Sequence, residues 1–233
     1  MDTSTELKHI AFIPDGNRRW ALSHGLSVLK GHEFGFENVR NLLKALIAHK
    51  VRYVSVFAFS TENWNRSSEE VLHLINLFRK WFSTSGDFLN ENGVQIKVVG
   101  NVNGLTEDLQ EKIAALTEKT KNNDKITVIC ALNYSGRSDI VRTAKKIAQK
   151  VSDKEISIDD IDEDLFASNM ELAGIPDPDI LIRTSEQRIS NFLLWNIAYS
   201  EILFIDKYWP DIDEGDVEYI INVFSKRNRR YGK

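Results

Sequence analysis

The chain has 233 residues, of which 42% are hydrophobic and 27% charged, and its formal net charge at pH 7 is −4. This length fits one large domain, since typical domains span about 100–200 residues, and the composition excludes a disordered chain. The negative charge argues against a general nucleic-acid binder, so we expect no nucleic-acid partner. The sequence has neither an apolar signal segment nor a membrane-spanning stretch, which predicts a cytoplasmic protein and leaves peripheral membrane contact open.

Apolar segments of strand length alternate with helical patterns along the chain. The predicted strands are residues 9–13, 52–59, 94–100, 126–134, 179–184 and 201–206, and the predicted helices lie in residues 31–50, 69–82, 106–121, 138–151, 188–198 and 214–227. Ser67 and Glu70 can form a capping box at the start of the second helix. Several strands are apolar throughout, which is typical of burial on both faces. We therefore predict an α/β fold, with residues 1–233 as a single domain around a six-stranded, mostly parallel sheet flanked by helices.

Polar segments follow the predicted strands: DGNRRW, STENWNR, GNVNG, NYSGRSD, RTSEQRIS and DKYWPD. Ligands of open α/β sheets bind beyond the carboxyl ends of the strands, where these segments should gather. Four of the six segments carry arginine, namely Arg18, Arg19, Arg66, Arg137, Arg183 and Arg188. Each arginine alone is explained equally well as a solvated surface charge. Converging guanidinium groups, however, fit phosphate oxygens bidentately, so the pattern favours a ligand with more than one phosphate.

Carboxylates are expected at the same edge, from Asp15, Glu62, Glu186 and Glu201. They would repel a phosphate ligand unless a cation lies between the charges. Mg²⁺ does this by binding one or two carboxylates together with phosphate oxygens. The residues by themselves therefore favour a magnesium-dependent phosphate site.

Three further features each allow two interpretations. His32 either reaches a phosphate or is an ordinary histidine near a helix start, and Trp64 either lines a cleft or simply packs. The large apolar residues of the second helix and the segment after it either belong to the core or form the wall of a tunnel for a hydrocarbon ligand; they are Leu74, Phe78, Trp81, Phe82, Phe88 and Leu89. Periodicity alone does not decide between these interpretations. Cys130, in an apolar run, is interpreted as a buried hydrophobe of a reducing compartment.

Four longer motifs carry a family resemblance. DGNRRWA, AFSTENWNR, NYSGRSDIV and RTSEQRISNFLLWNIAYSEILF occur in the order and spacing of the cis-prenyltransferases, which the chain resembles from about residue 9 to residue 232. The resemblance implies a homodimer with a six-stranded, mostly parallel sheet. It also implies Mg²⁺-dependent condensation of isopentenyl diphosphate onto an allylic diphosphate, such as farnesyl diphosphate. The product would be a cis-polyprenyl diphosphate, the precursor of a lipid carrier.

The resemblance also implies roles for individual residues. Asp15 matches the metal-binding aspartate that assists departure of the allylic diphosphate, Asn63 matches the amide proposed to assist proton removal, and Glu201 matches a second metal-associated carboxylate. Substrate-binding positions of the family are matched by Gly16, Asn17, Arg18, Arg19, Trp20, His32, Ser60, Thr61, Glu62, Trp64, Arg66, Arg183, Arg188, Ile189 and Ser190. The segment 230–232 matches a tail that reaches the diphosphate site across the dimer interface.

The chain departs from the family pattern in two places that bear on phosphate binding. Val28 stands where the family usually has arginine, and Lys30 is a candidate to compensate for it. The loop at residues 184–186 is one residue shorter than usual, a loss of ~3.3–3.6 Å of reach. That loss leaves the relative placement of Arg183 and Arg188 open, and with it full activity.

Two other functions stay open at this level. A non-catalytic or weakly active prenyltransferase-like subunit would lack the metal aspartate, whereas Asp15 is present. Another magnesium-dependent, diphosphate-binding α/β enzyme fits the arginines and carboxylates but not the whole series of motifs.

Overall fold

The computed structural model describes residues 6–227 and has an α/β architecture. Its strands are β1 (His9–Ile13), β2 (Tyr53–Ser60), β3 (Val94–Val99), β4 (Ile126–Tyr134), β5 (Ile180–Thr184) and β6 (Glu201–Ile205). Its helices are α1 (Asn17–Ser23), α2 (Val28–Ala48), α3 (Ser68–Thr84), α4 (Gly86–Glu91), α5 (Glu107–Thr120), α6 (Gly136–Ser152), α7 (Glu163–Asn169) and α8 (Glu214–Ser225). The predicted fold class is confirmed.

The six strands form one sheet in the order β3-β4-β2-β1-β5-β6, and every pairing is parallel. β1 and β5 are buried at every residue, which explains why they read as continuous apolar runs. One core layer packs α2, α3, α5 and α8 against one face of the sheet. A second cluster covers the opposite face with apolar residues between 172 and 197.

Serine hydroxyls cap the helices that begin beside the site, but only half of the capping box predicted at Ser67 and Glu70 forms, because the Glu70 carboxylate bonds to other partners. The Ser67 hydroxyl accepts a hydrogen bond from the backbone N–H of Glu70 at 3.3 Å, which caps α3. The Ser27 hydroxyl accepts from Lys30 N–H at the start of α2. These caps matter for the site, because α2 and α3 both begin beside it.

Two local predictions were wrong. Residues 188–198 form turns rather than a helix, because Ser190, Asn191 and Leu193 have positive φ angles of 47°, 64° and 46°. Such angles end a right-handed helix. The segment DGNRRW, expected to be a loop, contributes its Asn17 and both arginines to α1. In residues 6–227, no helix is long and apolar enough to cross a membrane.

The strand order places a change of direction at β1. The chain runs from β1 to β2 on one side, and it later continues into β5 on the other side. Ligands of open α/β sheets bind at such a switch point, beyond the carboxyl ends of the strands. The loops after β1, β2 and β5 therefore define where a site is expected.

Candidate active site

A cavity of about 450 Å³ opens at this switch point. Its polar lining comes from the loops after β1, β2 and β5 and from the starts of α1 and α2: Asp15, Gly16, Asn17, Arg18, Arg19, His32, Asn63, Arg66, Glu186 and Arg188. Its apolar lining comes from α2, α3, β2, β4 and the loop after β6: Phe36, Val39, Val56, Leu74, Phe78, Trp81, Val128, Cys130 and Trp209. The cavity is therefore cationic on one side and apolar on the other.

The six large apolar residues divide between the two interpretations, since Phe82, Phe88 and Leu89 belong to the core and the other three line the cavity. Leu74, Phe78 and Trp81 lie four and three residues apart, so they share one face of the helix, and that face lines the cavity. Val128 and Cys130 of β4 form part of the opposite wall. Burial raises the pKa of the Cys130 thiol to about 12, so the thiol stays neutral at physiological pH. This part of the cavity suits a hydrocarbon chain.

Asp15 is fixed by the end of the neighbouring strand β5 and by the segment after β6. Its backbone N–H donates to the Thr184 hydroxyl at 2.8 Å, and its carbonyl oxygen accepts from Trp209 N–H at 2.9 Å. Its carboxylate accepts from Gly16 N–H at 2.6 Å, from Arg183 at 2.7 Å and from Arg19 at 3.4 Å. The carboxylate is thus held at the cavity between two guanidinium groups.

Gly16 allows the loops after β1 and β5 to approach each other. Its φ is +95°, and a Cβ at this position would lie 2.3 Å from Ser185 Oγ and 2.6 Å from the Tyr208 ring. A side chain would therefore be strained in the backbone and would collide with its neighbours. The close approach is what brings Asp15 to Arg183.

Arg183 is buried with its guanidinium group nearly saturated. It donates to the Arg188 carbonyl at 2.6 Å, to the Ser190 hydroxyl and to Asp15. Its Nε is buried and has no hydrogen-bond partner among residues 6–227. A buried charged donor without a partner is costly, and the three bonds that the same guanidinium makes offset this cost.

The shortened loop is accommodated by a strained backbone. Ser185 has a φ of +66°, and three of the next eight residues also have positive φ angles. The loop still turns Arg188 into the cavity, where its guanidinium lies 2.8 Å from Glu186. Glu186 also pairs with Arg19 at 2.9 Å. Non-glycine residues with positive φ cost energy and concentrate at functional sites, which agrees with this position.

A second ion-pair cluster surrounds Glu70, which sequence reasoning identified only as a capping residue. Its carboxylate lies 3.0 Å from His32 Nε2, 2.9 Å from Arg66 and 3.2 Å from Arg18. Burial by itself would raise the pKa of Glu70, but the charge of Arg66 and the hydrogen bond from His32 outweigh it and hold the pKa below its usual value. Burial lowers the pKa of His32. The capping pattern could not reveal these partners, because Arg18 and His32 are remote in sequence.

The segment after β2 reaches the cavity only in part. Asn63 lines it, and its side-chain oxygen accepts from Ser60 N–H at 3.0 Å. Glu62 accepts hydrogen bonds from Asn191 and Thr61 outside the lining. Burial by itself would raise the pKa of Glu62, but these bonds and those from the backbone outweigh burial and lower the pKa.

Several other predicted site residues lie beside the cavity and do not line it. The Trp20 ring donates to Asp211 at 2.6 Å and stacks on His24 at 4.4 Å. The Trp64 ring donates to Asn133 at 2.8 Å. Ser60, Thr61, Arg183, Ile189 and Ser190 are likewise near the cavity but outside its lining. Any ligand contact from Trp20 or Trp64 would need these side chains to move.

The expectation that Glu201 lies with Asp15 at the carboxyl end of the sheet is wrong. Glu201 begins β6 and pairs in register with Ile180, the first residue of β5. Asp15 lies level with Thr184, the last residue of β5, so the two carboxylates are separated by four strand residues, or ~13 Å. Glu201 pairs instead with Arg227 at 3.3 Å. Within one chain, therefore, Asp15 and Glu201 cannot share a metal ion.

The residues at the cavity fit a magnesium ion that arrives with a phosphate ligand. No group of three or more His, Cys, Asp and Glu side chains is placed to hold a metal among residues 6–227. Asp15 provides one carboxylate, and Glu186 is linked to it through Arg19. Mg²⁺ binds through one or two carboxylates and completes its shell with phosphate oxygens and water, so this donor set suffices when a diphosphate is present.

Comparisons with known proteins agree with this geometry. The family described as putative undecaprenyl diphosphate synthase matches residues 13–232. The chain is 40% identical over 227 residues to a ditrans,polycis-undecaprenyl-diphosphate synthase ((2E,6E)-farnesyl-diphosphate specific) of Legionella pneumophila, covering 97% of this chain and 95% of the relative. It is 44% identical over 230 residues to an isoprenyl transferase of Rickettsia typhi, covering 98% and 99%.

A solved structure shares the whole fold. Lavandulyl diphosphate synthase from Lavandula x intermedia, crystallised with dimethylallyl diphosphate, superposes with a TM-score of 0.93 at 33% identity, covering 97% of this chain and 98% of that one. The similarity therefore extends over the cavity and all the loops that form it.

Proposed function

Because the chain belongs to the undecaprenyl diphosphate synthase family and is a cis-prenyltransferase, we propose that it condenses isopentenyl diphosphate onto farnesyl diphosphate. The product is a cis-polyprenyl diphosphate that serves as the precursor of a lipid carrier. The farnesyl preference is supported by the substrate specificity in the name of the Legionella relative.

One observation carries this proposal: a single cavity joins a cationic mouth to an apolar interior. An allylic diphosphate has this same division between a charged head and a hydrocarbon tail. Guanidinium groups and helix N-termini bind diphosphate oxygens, and the wall formed by Leu74, Phe78 and Trp81 provides apolar contact for the growing chain.

The segment from Asp15 to Arg19, which follows β1 and begins α1, assists departure of the leaving diphosphate. Without ligand, Arg19 forms ion pairs with both Asp15 and Glu186. It can exchange these partners for phosphate oxygens when the diphosphate binds. When bound, Mg²⁺ neutralises the negative charge that develops on the diphosphate as the allylic bond ionises. Asp15 and Glu186 are the carboxylates of this chain that would hold it. Arg19 stabilises the same charge because it is already in place.

Isopentenyl diphosphate binds, in this proposal, beside Arg183 and Arg188. Arg188 lines the cavity and offers its guanidinium to a phosphate oxygen, while the buried Arg183 donates to the Arg188 carbonyl and the Ser190 hydroxyl behind it. Asn63 lies in the cavity lining with its amide oxygen already bonded to Ser60 N–H. This bond fixes the orientation of the amide that would assist proton removal.

The same family assignment supports a homodimer built on the free edge of β6. Ile202 and Phe204 are exposed on this edge strand, and the neighbouring Tyr199 is 77% exposed. An exposed apolar edge is a natural pairing surface. Arg230 and Gly232 lie outside the described residues. In this proposal the tail of each chain completes the partner's site, so deletion of residues 230–233 lowers turnover without unfolding the protein.

The proposal is tested by incubating the protein with Mg²⁺, labelled isopentenyl diphosphate and either farnesyl or dimethylallyl diphosphate, and then sizing the products. We expect long cis-polyprenyl products from the farnesyl primer. A short product made only from dimethylallyl diphosphate would overturn the assigned substrate. No labelled product with either primer would favour the non-catalytic subunit. Sedimentation of the intact and truncated chains tests the dimer.

A further inference from the structure

The carboxylate of Glu70 is unusual because it is buried yet bonded to three groups that carry or can carry positive charge. Its side chain is 7% exposed. Arg18 comes from α1, His32 from α2 and Arg66 from the residues just before α3. A simple counter-ion of surface arginines would be exposed and would have one partner. Glu70 instead joins three separate segments of the chain at one point.

The three partners of Glu70 all face the cavity, while Glu70 itself does not line it. Glu70 therefore stands behind the groups that would touch a ligand. It also shares the helix face of Leu74, Phe78 and Trp81, being four residues before Leu74. The carboxylate thus connects the cationic mouth to the helix that forms the apolar wall.

We propose that Glu70 is a positioning residue that holds Arg18, Arg66 and His32 together as one anion-binding unit. The inference rests on the proposed function, because it assigns a supporting residue to the diphosphate end of that site. Long arginine side chains lose considerable rotamer entropy when a ligand orders them. A buried carboxylate that already orders them reduces this loss, so the ligand binds more tightly.

The same contact determines the protonation pattern of His32. An ionised carboxylate only accepts hydrogen bonds, so His32 Nε2 must carry the proton that lies between it and Glu70. In the neutral ring, Nδ1 is then unprotonated. Glu70 consequently fixes both the orientation and the tautomer of the imidazole at the cavity.

The test uses Glu70→Gln, which keeps the size of the side chain but cannot accept hydrogen bonds from all three partners. Glu69→Gln is the matched control, because Glu69 is the preceding residue in the same helical turn and is exposed. Binding of inorganic pyrophosphate is measured by calorimetry for the three proteins. We expect about tenfold weaker binding for Glu70→Gln, the loss of one charge-assisted contact, and no change for Glu69→Gln.

Steady-state kinetics distinguish positioning from a general structural role. For Glu70→Gln the KM for the allylic diphosphate should rise about tenfold, whereas kcat changes little, because the arginines are needed equally before and during ionisation. Equal or tighter pyrophosphate binding would show that Glu70 is only a counter-ion and would overturn the inference. A fall in kcat at unchanged KM would also overturn it.

Two further measurements keep the result decisive. Nitrogen chemical shifts of His32 in the unaltered protein should show protonated Nε2 and unprotonated Nδ1, and the reverse tautomer would overturn the inference even if Glu70→Gln did not fold. Pyrophosphate binding by the unaltered protein separates the two proposals. If the unaltered protein does not bind pyrophosphate, the proposed diphosphate site itself is wrong. If the unaltered protein and Glu70→Gln bind pyrophosphate equally well, only the proposed role of Glu70 is wrong.

Discussion

The two ends of the sheet each contain a buried histidine, and the surroundings of the two rings differ. At the amino end, His9 is completely buried; its Nδ1 donates to the Pro176 carbonyl at 2.6 Å, and its Nε2 lies 2.8 Å from the Ser55 hydroxyl. At the carboxyl end, His32 lines the cavity and shares Glu70 with two arginines.

The comparison separates polar groups that complete the fold from polar groups that can bind a ligand. Both ring nitrogens of His9 have neutral partners within the protein, the Pro176 carbonyl and the Ser55 hydroxyl. The buried ring therefore holds β1 against β2 and the segment before β5. The ion-pair network at the carboxyl end contains five arginines and three carboxylates, which leaves a formal charge of +2 in a chain whose net charge is −4. This excess of cations, with Arg183 buried and Arg18, Arg19 and Arg188 exposed to an entering ligand, favours an anionic ligand.

The largest expected effect comes from Asp15→Asn, which would break the carboxyl-end network at its centre. Turnover should fall by ~10²–10³-fold, as when one preorganised electrostatic contact is removed. Pyrophosphate binding should fall much less, since the arginines remain. Stability should also decrease, because Arg183 is buried and loses its carboxylate partner. Single-turnover condensation and thermal unfolding measure the two effects, and near-normal turnover would contradict the role of Asp15.

At the amino end, pH should change stability rather than activity. Burial lowers the pKa of His9 to about 4, below the unfolded value of 6.5. The folded state therefore favours the neutral ring, so this stabilisation is present above pH 6.5 and is lost as the pH falls toward 4. The full loss is about 3 kcal/mol. Denaturant titrations at pH 7 and pH 4.5 measure the decrease in unfolding free energy. This decrease should be smaller for His9→Gln than for the unaltered protein, and equal decreases in the two proteins would contradict the prediction.

Gly16→Ala tests the close approach that the carboxyl end requires. We expect a loss of ~1–3 kcal/mol of unfolding free energy from backbone strain and collision with Ser185. Gly174→Ala is the control, because its φ is also positive at +77° but a Cβ there has no atom of the described part of the chain within 4 Å. A larger loss in Gly16→Ala isolates the collision, and equal losses would mean that only the backbone angle matters.

The smallest effect is expected from Val28→Arg, which adds one cation to the carboxyl end. Residue 28 lies one turn before His32 on α2, so it shares the face that lines the cavity. Lys30 does not compensate at present, since its ammonium group pairs with Glu33 at 2.6 Å. Binding of an allylic diphosphate should tighten about tenfold. A titration without tightening would show that this position does not reach the ligand.

Much of the architecture was predictable from the sequence because its causes are local. Continuous apolar runs, helical periodicity and the capping serine Ser67 each act within a few residues, and they predicted all six strands and the capped start of α3. Arginine after successive strands similarly indicated an anion site, because parallel strands must end at one edge of the sheet. Local patterns failed at residues 188–198, where apolar spacing suggested a helix but tertiary packing imposes positive φ angles.

Long-range contacts decided the rest of the site. Asp15 meets Arg183 across 168 residues of sequence, and Glu70 meets Arg18 across 52, and no periodicity encodes such pairs. Glu201 illustrates the same limit. The motif match assigned it to the site, whereas strand register places it at the amino end of the sheet, away from the cavity. The sequence by itself determined the six strands, the five helices α2, α3, α5, α6 and α8, and that cations gather beyond the sheet. Only the tertiary structure decided which carboxylate holds which cation and that α3 forms the wall of a cavity, because both depend on how distant segments pack.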